Sequence, residues 1–185
     1  MKRFYLGEIT YILFEDEAAI RDYQAIQRAW FEKGKQRIIP TYGKHQGVKL
    51  LGVLNYETGE VFIQESEKYD AEVFLAFLKE VLKRNPNGKI AMILDNSRIH
   101  HAKLIQPFLE ENKDRLELHF LPPYSPQLNC IEKVWGWLKS SCINNVFFKS
   151  TEEIREKVQQ FVEEINQDLQ QVIDRVCLFD FVRSE

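Results

Sequence analysis

The sequence predicts an α/β fold in which helices flank a five-stranded mixed sheet. An apolar run rich in β-branched and aromatic residues lies near the start, and two more such runs surround a glycine turn. Two further short apolar runs are each followed by a segment of helical periodicity. Three antiparallel strands and then parallel crossovers account for this order. The 185 residues, 44% of them apolar, suffice for one compact core.

The first strand is predicted over residues 9–16, ITYILFED, and is expected to end in three acids, Glu15, Asp16 and Glu17. Because side chains alternate along a strand, Asp16 shares a face with Phe14, while the two glutamates share the other face. Acids at the end of a strand are usually solvated. Taken alone, this cluster therefore does not indicate a functional site.

Residues 18–46 are predicted to form a long loop insertion, because glycine and proline interrupt every helical pattern there. A connection of this length is uncommon in a compact domain unless it acts as a lid or a binding loop. Basic and aromatic side chains of the kind that bind a nucleic-acid backbone occur in it: Trp30, Lys33, Lys35, Arg37 and Lys44. An ordinary solvated loop remains the alternative.

A hairpin and a helix follow the loop. Residues 48–66 consist of two apolar runs around Gly59, which is free to adopt positive φ in the turn. Residues 70–84 carry an apolar stripe at helical spacing, and Asn85, Pro86, Asn87 and Gly88 end it. The sequence therefore predicts two more strands and the first long helix.

A nearly continuous apolar run at 90–94 predicts a central strand buried on both faces. Asp95 ends this strand, and a helix is expected over residues 98–112. In open α/β sheets, functional groups gather at the carboxyl ends of such strands. Asp95 is therefore a candidate site residue, and an acid without function is the alternative.

Polar side chains follow Asp95 directly. Asn96 and Ser97 are residues that suit a helix N-cap. His100 and His101 lie near the start of the expected helix. A histidine pair at such a place is more often a polar surface feature than a pair of metal ligands, and both interpretations stay open.

The segment from residue 116 to residue 139 contains a strand, a proline turn and a helix. Leu116 begins an alternating run of about six residues. The prolines at 122, 123 and 126 exclude both the hydrogen bonding of a β-strand and a helix, so the chain must turn there. After this turn, an amphipathic helix is predicted by the apolar spacing of Ile131, Val134, Trp135 and Leu138.

Glu132 lies in the first turn of this helix, beside the apolar stripe. A carboxylate held there by a rigid helix is a natural metal ligand. The alternative is capping, because Asn129 is a good N-cap residue and Glu132 follows at the spacing of a capping box. The positions of the other acids decide between the two interpretations.

The order of elements describes an RNase H-like sheet, in which the first strand lies beside the fourth and parallel to it. That arrangement places Asp16 and Asp95 side by side, and the proline turn leads to Glu132. Residues 1–150 form the predicted catalytic core of a single domain spanning 1–185. Residues 151–185 form a C-terminal helix, capped by Ser150 or Thr151, which is expected to pack on the sheet or on another subunit.

Composition excludes several classes of protein. The formal net charge of −3 and the pI near 5.9 give no bulk attraction to nucleic acid, although local patches still allow it. Three widely spaced cysteines without a C-x-x-C pattern favour a reducing cytoplasm over a structural zinc site. No stretch approaches membrane-spanning length. These features predict a cytoplasmic protein without membrane contact.

Three blocks of the sequence, ILFEDE, LDNSRIHH and LPPYSPQLNCIEKVWGWLK, resemble the blocks of the DDE transposases of the mariner superfamily, specifically their bacterial insertion-sequence branch. They occur in the family's order over about residues 9–140, and the third block is highly specific. The family's spacing of a little over thirty residues between the second and third acids is also met. This family often has proline where Cys130 stands, a change we expect to be tolerated in a first helical turn.

The resemblance implies that Asp16, Asp95 and Glu132 are the catalytic triad and the metal ligands. It implies Mg²⁺ as cofactor, with Mn²⁺ as a substitute, because hard cations prefer carboxylate oxygens. Two unit charges about 4 Å apart cost about 4 kcal/mol at a dielectric near 20, so a bound cation explains why three acids converge. Asn96, His100 and Asn129 are further candidates to support the ligands or to contact DNA.

The resemblance further implies a bacterial DNA endonuclease and strand transferase that acts on double-stranded DNA, as a homodimer in the DNA complex. Such transposases usually begin with helix-turn-helix modules, but this sequence starts almost directly at the first catalytic strand. We therefore expect a split product with a separate helix-turn-helix subunit, or a fragment. Two alternatives remain: an inactive remnant that binds DNA or protein, and another RNase H-like nuclease, such as a junction resolvase or RNA–DNA hybrid nuclease.

Overall fold

A computed structural model describes residues 2–21, 32–34, 38 and 47–176 of the chain. A five-stranded sheet has the order β3-β2-β1-β4-β5. Its strands are β1 (Tyr11–Arg21), β2 (Gly47–Asn55), β3 (Val61–Ser66), β4 (Ile90–Leu94) and β5 (Leu116–Phe120). The helices are α1 (Lys2–Tyr5), α2 (Ala71–Arg84), α3 (Gln106–Glu111), α4 (Ile131–Leu138), α5 (Thr151–Gln167) and α6 (Leu169–Val176).

The sheet has the predicted mixed topology. β1 pairs antiparallel with β2 and parallel with β4, while β2–β3 is antiparallel and β4–β5 is parallel. The predicted adjacency of the first and fourth strands is therefore confirmed. The hairpin turn is also as predicted: Gly59 has φ +78°, and a Cβ there would lie 2.7 Å from the Leu169 carbonyl oxygen.

Helices cover both faces of the sheet. Ile12 and Phe14 of β1 face one hydrophobic core, which is shared with α4, α5 and α6. Leu13, on the opposite face, packs into a second core with α2 and the strand β4. Burial on both faces explains why the 90–94 run lacks alternation, as expected for an interior parallel strand.

The first strand is longer than predicted. β1 continues to Arg21 because β2 pairs with it along its whole second half, as far as the pair Arg21–Gly47. Glu15, Asp16 and Glu17 therefore lie inside a paired strand, and the expectation of a solvated strand end is wrong. Residues 18–21 of the predicted loop are therefore part of β1, and most of the remaining loop lies outside the described residues.

The helix predicted over 98–112 is also wrong in part. The chain forms a 3₁₀ turn over Arg98–His101, and α3 begins only at Gln106. Ala102 between them has an extended backbone, with φ −60° and ψ 140°. Pro107 occupies the first turn of α3, where its missing N–H costs nothing, whereas it would break the interior of a longer helix.

The C-terminal helix is divided. Ser150 caps α5 by accepting a hydrogen bond from the Glu153 backbone N–H, as predicted. Asp168 then breaks the helix, and its side chain accepts a hydrogen bond from the Gln171 backbone N–H at the start of α6. The expected packing on the sheet is confirmed, because the Asn166 side chain exchanges two hydrogen bonds with the Val61 backbone. Residues 177–185 lie outside the described part.

Across the described ranges, no helix has the length and apolar character to cross a bilayer. The longest, α5, has 17 residues and carries charged side chains in its first turn.

Candidate active site

The three acids singled out in the sequence line one cleft. It has a volume of about 450 Å³ and lies where β1, β4 and the N-terminus of α4 meet. Asp16, Asp95 and Glu132 share its wall with Asn96, Ser97, Asn129 and the proline segment Leu121–Pro126. Segments far apart in the sequence are thus brought together on one concave surface.

Strand register places the first two acids. β1 and β4 pair in parallel through Phe14–Ile93, and continuing this register by two residues brings Asp16 opposite Asp95. The third acid comes from the other side of β4. There β5 ends, and the proline segment connects it to α4. Glu132, in the first turn of α4, then faces the cleft.

The Asp16 carboxylate is oriented by the core of the protein. Trp135 Nε1–H donates a hydrogen bond to Asp16 Oδ2 at 3.1 Å, and the Glu17 backbone N–H also donates to this carboxylate. Trp135 reaches Asp16 by lying over Gly52, the partner of Asp16 on β2. A Cβ at Gly52 would be 2.6 Å from the indole ring, so the absent side chain makes room for this contact.

The cleft is electrostatically unfavourable for anions. The pKa of Asp16 is raised to about 7, chiefly by burial and in addition by the negative charges of Glu132, Glu17 and Asp95. The Glu17 backbone N–H opposes the shift by stabilising the carboxylate. A cation bound here would remove much of this repulsion, which fits an all-oxygen set of ligands for a hard divalent ion.

Asn129 is not the helix cap that the alternative interpretation of Glu132 required. Cys130, not Asn129, occupies the N-cap position of α4, so the capping-box interpretation is wrong. The buried Asn129 side chain instead donates from Nδ2 to the Glu15 carbonyl oxygen at 2.7 Å, and thereby ties the start of α4 to β1. Cys130 has φ −61°, a value that proline also adopts, which accounts for either residue at this position.

His100 lies behind Asp95 rather than on the surface. It is 1% exposed, and its ring centroid lies 4.4 Å from that of Phe74 in α2. Its Nδ1 is 3.2 Å from the Asp95 carbonyl oxygen and 3.3 Å from Asp95 Oδ1. The surface interpretation of the pair is therefore wrong for His100, although it holds for the exposed His101.

The polar residues after Asp95 do not cap a helix. Ser97 precedes the 3₁₀ turn but makes no side-chain capping bond. Its backbone N–H instead donates to Asp95 Oδ1 at 2.8 Å, which holds the second acid in place. Asn96 lines the cleft, and its Oδ1 accepts a hydrogen bond from His101 Nε2–H.

The predicted DNA-binding cluster falls mostly outside the described residues. Trp30, Lys35, Arg37 and Lys44 all lie there. Lys33 is described and is exposed in a turn. The cleft itself carries another exposed aromatic residue, Tyr124, which is fully solvent-accessible with φ 57°.

Sequence reasoning missed three participants. Trp135 was assigned only to the apolar stripe of α4, and its indole N–H has no signature in sequence. Glu15 and Glu17 were taken as solvated, yet Glu15 is completely buried. Alternation offered a signal, because Glu15 shares a face with Leu13, which packs into the core beneath α2.

Fold and site together define an RNase H-like domain with three acids at one cleft. The family model described as "DDE superfamily endonuclease" matches residues 11–155. This chain therefore belongs to the DDE superfamily endonucleases.

Two curated relatives are similar in sequence. The "Insertion element IS630 uncharacterized 39 kDa protein" of Shigella sonnei is 28% identical over 156 residues, which cover 84% of this chain and 45% of that protein. The "Uncharacterized protein y4pE/y4sA" of Sinorhizobium fredii (strain NBRC 101917 / NGR234) is 34% identical over 86 residues, which cover 46% of this chain and 60% of that one. The chain thus spans about half the length of the curated relatives it matches.

Solved structures share the fold. The Mos1 transposase paired-end complex with left transposon end has a TM-score of 0.66 at 12% identity, covering 95% of this chain and 58% of that one. The Mos1 mariner paired-end complex with Mn has a TM-score of 0.65 at 14% identity, covering 91% and 55%. The corresponding complex with Mg has a TM-score of 0.60 at 16% identity, covering 91% and 54%. The RNase H-like prediction is confirmed.

Proposed function

We propose that this chain is the catalytic domain of a transposase, which cleaves DNA phosphodiesters and transfers the resulting strand to target DNA. The observation that carries the proposal is the convergence of Asp16, Asp95 and Glu132 on one cleft of an RNase H-like fold. Membership in the DDE superfamily endonucleases and the likeness to an insertion-element protein support it.

The three carboxylates are the proposed ligands of Mg²⁺, for which Mn²⁺ substitutes. Their oxygen donors suit a hard cation, and the pKa of Asp16, raised to about 7 by burial and by neighbouring negative charges, reflects an unfavourable site for an anion that such a cation would relieve. Mos1 complexes with Mn and with Mg support this assignment. Bound ions supply Lewis acidity at the scissile phosphate and lower the pKa of an attacking hydroxyl group.

The residues of this chain position the reacting groups. Trp135 and the Glu17 backbone fix the Asp16 carboxylate, and the Ser97 backbone fixes that of Asp95. In the first step, a water oxygen forms a bond to phosphorus as the bond to the 3′-oxygen breaks, which frees a 3′-hydroxyl. In the second step, that hydroxyl attacks a target phosphodiester, so one P–O bond forms as another breaks.

Double-stranded DNA, both transposon end and target, is the proposed substrate. Tyr124 at the cleft rim offers a ring on which a base can stack. The basic residues Lys33, Lys35, Arg37 and Lys44, with Trp30, are proposed to hold phosphates. The Mos1 paired-end complex with left transposon end supports a DNA-bound state, and we extend the proposal to a homodimer on DNA and a separate helix-turn-helix unit.

The alternatives raised by the sequence are less well supported. An inactive binding module does not explain why three acids stay together at one cleft at an electrostatic cost. A junction resolvase or RNA–DNA hybrid nuclease is disfavoured by the similarity to an insertion-element protein. The electrostatic argument and the sequence similarity both favour a transposase catalytic domain.

Nicking of supercoiled DNA tests the proposal. The wild-type chain is expected to nick the DNA when Mg²⁺ or Mn²⁺ is present and to be inactive when a chelator removes these ions. Asp95→Asn and Glu132→Gln should each lose at least about a hundredfold in rate, because each removes a charged metal ligand. Asp114→Asn and Glu57→Gln change exposed acids outside the cleft in the same chemical way and should leave the rate unchanged. Equal rates in all five proteins would refute the assignment.

A further inference from the structure

A second group of ionisable side chains lies on the other face of β1 from Asp16. Glu15 and Glu17 reach from β1 to His100 in the 3₁₀ turn, beneath α2. His100 Nε2 is 3.8 Å from Glu15 Oε2 and 3.5 Å from Glu17 Oε1. One potential ligand atom from each of the three residues lies within 4.8 Å of the other two.

The buried members of this group are unsatisfied. Glu15 is 0% exposed and His100 is 1% exposed. Neither carboxylate oxygen of Glu15 nor His100 Nε2 has a hydrogen-bond partner within the described part of the chain. A buried polar atom without a partner costs about 1–3 kcal/mol, and a buried unpaired charge costs more. Glu15 and His100 each place such an atom in the same small region, which indicates that something else satisfies them.

The proton on His100 can be assigned from its neighbours. Nδ1 faces the carbonyl oxygen and the Oδ1 of Asp95, and oxygens of these kinds accept hydrogen bonds. The imidazole therefore carries its proton on Nδ1, and Nε2 presents a lone pair toward Glu15 and Glu17. Histidines that bind metals commonly donate their other N–H to a carboxylate or a carbonyl in this way.

Distances distinguish a metal ion from an ion pair. A charge-assisted hydrogen bond from imidazolium to carboxylate is about 2.7–2.9 Å long, shorter than either separation here. Ligands at about 2.0–2.2 Å from one tetrahedral ion stand about 3.4 Å apart, close to the 3.5 Å and 3.8 Å found between Nε2 and the two carboxylates. The two separations from His100 Nε2 therefore match those between ligands of a shared ion, and the three ligand atoms lie within 4.8 Å of one another.

We propose that Glu15, Glu17 and His100 form a binding site for a divalent transition-metal ion of the Zn²⁺ type, separate from the three-acid cleft. One imidazole nitrogen with two carboxylates suits Zn²⁺ better than Mg²⁺. The Glu17 side chain is 15% exposed, so water can complete the coordination from that side. The ion ties β1 to the turn after β4 and fixes the histidine that contacts Asp95. The proposal does not depend on nuclease activity.

The test uses the untagged 185-residue chain carrying Asp16→Asn and Glu132→Gln, which disables the three-acid cleft and leaves the second group intact. In excess Mg²⁺, with a chromophoric chelator as competitor, this background is expected to bind one Zn²⁺ per chain. X-ray absorption at the zinc edge should show one imidazole. Adding Glu17→Gln should weaken binding at least about tenfold. Glu17 is the preferred variant because its partial exposure makes the substitution compatible with folding.

Matched controls and a second readout complete the test. Glu57→Gln and His101→Gln alter exposed residues of the same types and should leave the affinity and the imidazole signal unchanged. Zn²⁺ should raise the Tm of the background but not that of Glu17→Gln. The proposal is overturned if the background binds no Zn²⁺, if Glu17→Gln binds it equally well, or if the bound zinc shows no nitrogen ligand. Absence of DNA cleavage by the wild type would affect only the proposed nuclease.

Discussion

Trp135 of α4 donates its indole N–H to Asp16 of β1 across 3.1 Å, and the indole ring lies over Gly52 of the adjacent strand. One fully buried side chain thus joins the hydrophobic core to the first acid of the cleft. The helix that carries Glu132 also carries Trp135, so the packing that seats α4 on the sheet sets the positions of both acids. Geometry at the cleft is therefore a consequence of core packing.

Replacing Trp135 tests this link. Trp135→Phe keeps an aromatic ring but removes the donor, which leaves the partly buried Asp16 carboxylate less stabilised and raises its pKa above about 7. We expect the pH–rate profile for DNA nicking to shift to higher pH, and the free energy of unfolding to fall by about 1–3 kcal/mol. Trp137→Phe, on the half-exposed side of the same helix, serves as control. An unshifted profile in Trp135→Phe would show that the indole N–H does not act on Asp16.

Two glycines provide a matched pair for the packing argument. A Cβ at Gly52 would meet the Trp135 ring at 2.6 Å and Ile131 at 3.0 Å, so Gly52→Ala should destabilise the fold by about 1–3 kcal/mol and displace the indole from Asp16. At Gly136, within α4, a Cβ has no neighbour within 4 Å among the described residues. Gly136→Ala should therefore stabilise the fold by up to about 1 kcal/mol, because alanine favours the helix. Thermal unfolding of the two variants measures these changes in stability. Equal changes in Gly52→Ala and Gly136→Ala would contradict the packing account.

The raised pKa of Asp16 predicts a specific pH dependence of stability. The folded-state pKa is about 7 and the model-compound value is 3.8, so between these values the folded chain binds more protons than the unfolded chain. Stability without metal should therefore fall as pH rises from about 4 to about 7, by roughly 2–4 kcal/mol from this group. Asp16→Asn should lack that fall.

Urea unfolding in chelator across this pH range measures the effect. Glu15, whose pKa is raised by burial and by the charges of Glu17, Asp16 and Asp95, contributes a fall of the same sign in both proteins, and the difference between the two curves reports Asp16 together with its effect on Glu15. Mg²⁺ favours the ionised carboxylate and should reduce the fall in the wild type alone. Parallel curves for the wild type and Asp16→Asn would contradict the prediction.

The sequence predicted the sheet well because its strands depend on local patterns, whereas the set of three acids that line the cleft came from the family resemblance. Apolar runs set the strands, and the Asp16–Asp95 register followed from the strand order. The end of β1 was missed because its continuation depends on pairing with β2, a long-range contact. The burial of His100 was missed because Phe74 of α2, distant in sequence, packs on it. The burial of Glu15 was missed although the face it shares with Leu13 offered a local signal.

Tyr124 allows the proposed DNA contact to be tested apart from chemistry. Its side chain is fully exposed at the cleft rim, so removing it should leave the Tm of the chain nearly unchanged. Stacking of a base on an aromatic ring contributes about 1–3 kcal/mol, so Tyr124→Ala should weaken DNA binding by about five- to a hundredfold. Tyr124→Phe keeps the ring and should bind as the wild type does. Binding measured in Ca²⁺, which supports no cleavage in the proposed mechanism, separates affinity from rate, and equal affinities for Tyr124→Ala and Tyr124→Phe would exclude stacking at this residue.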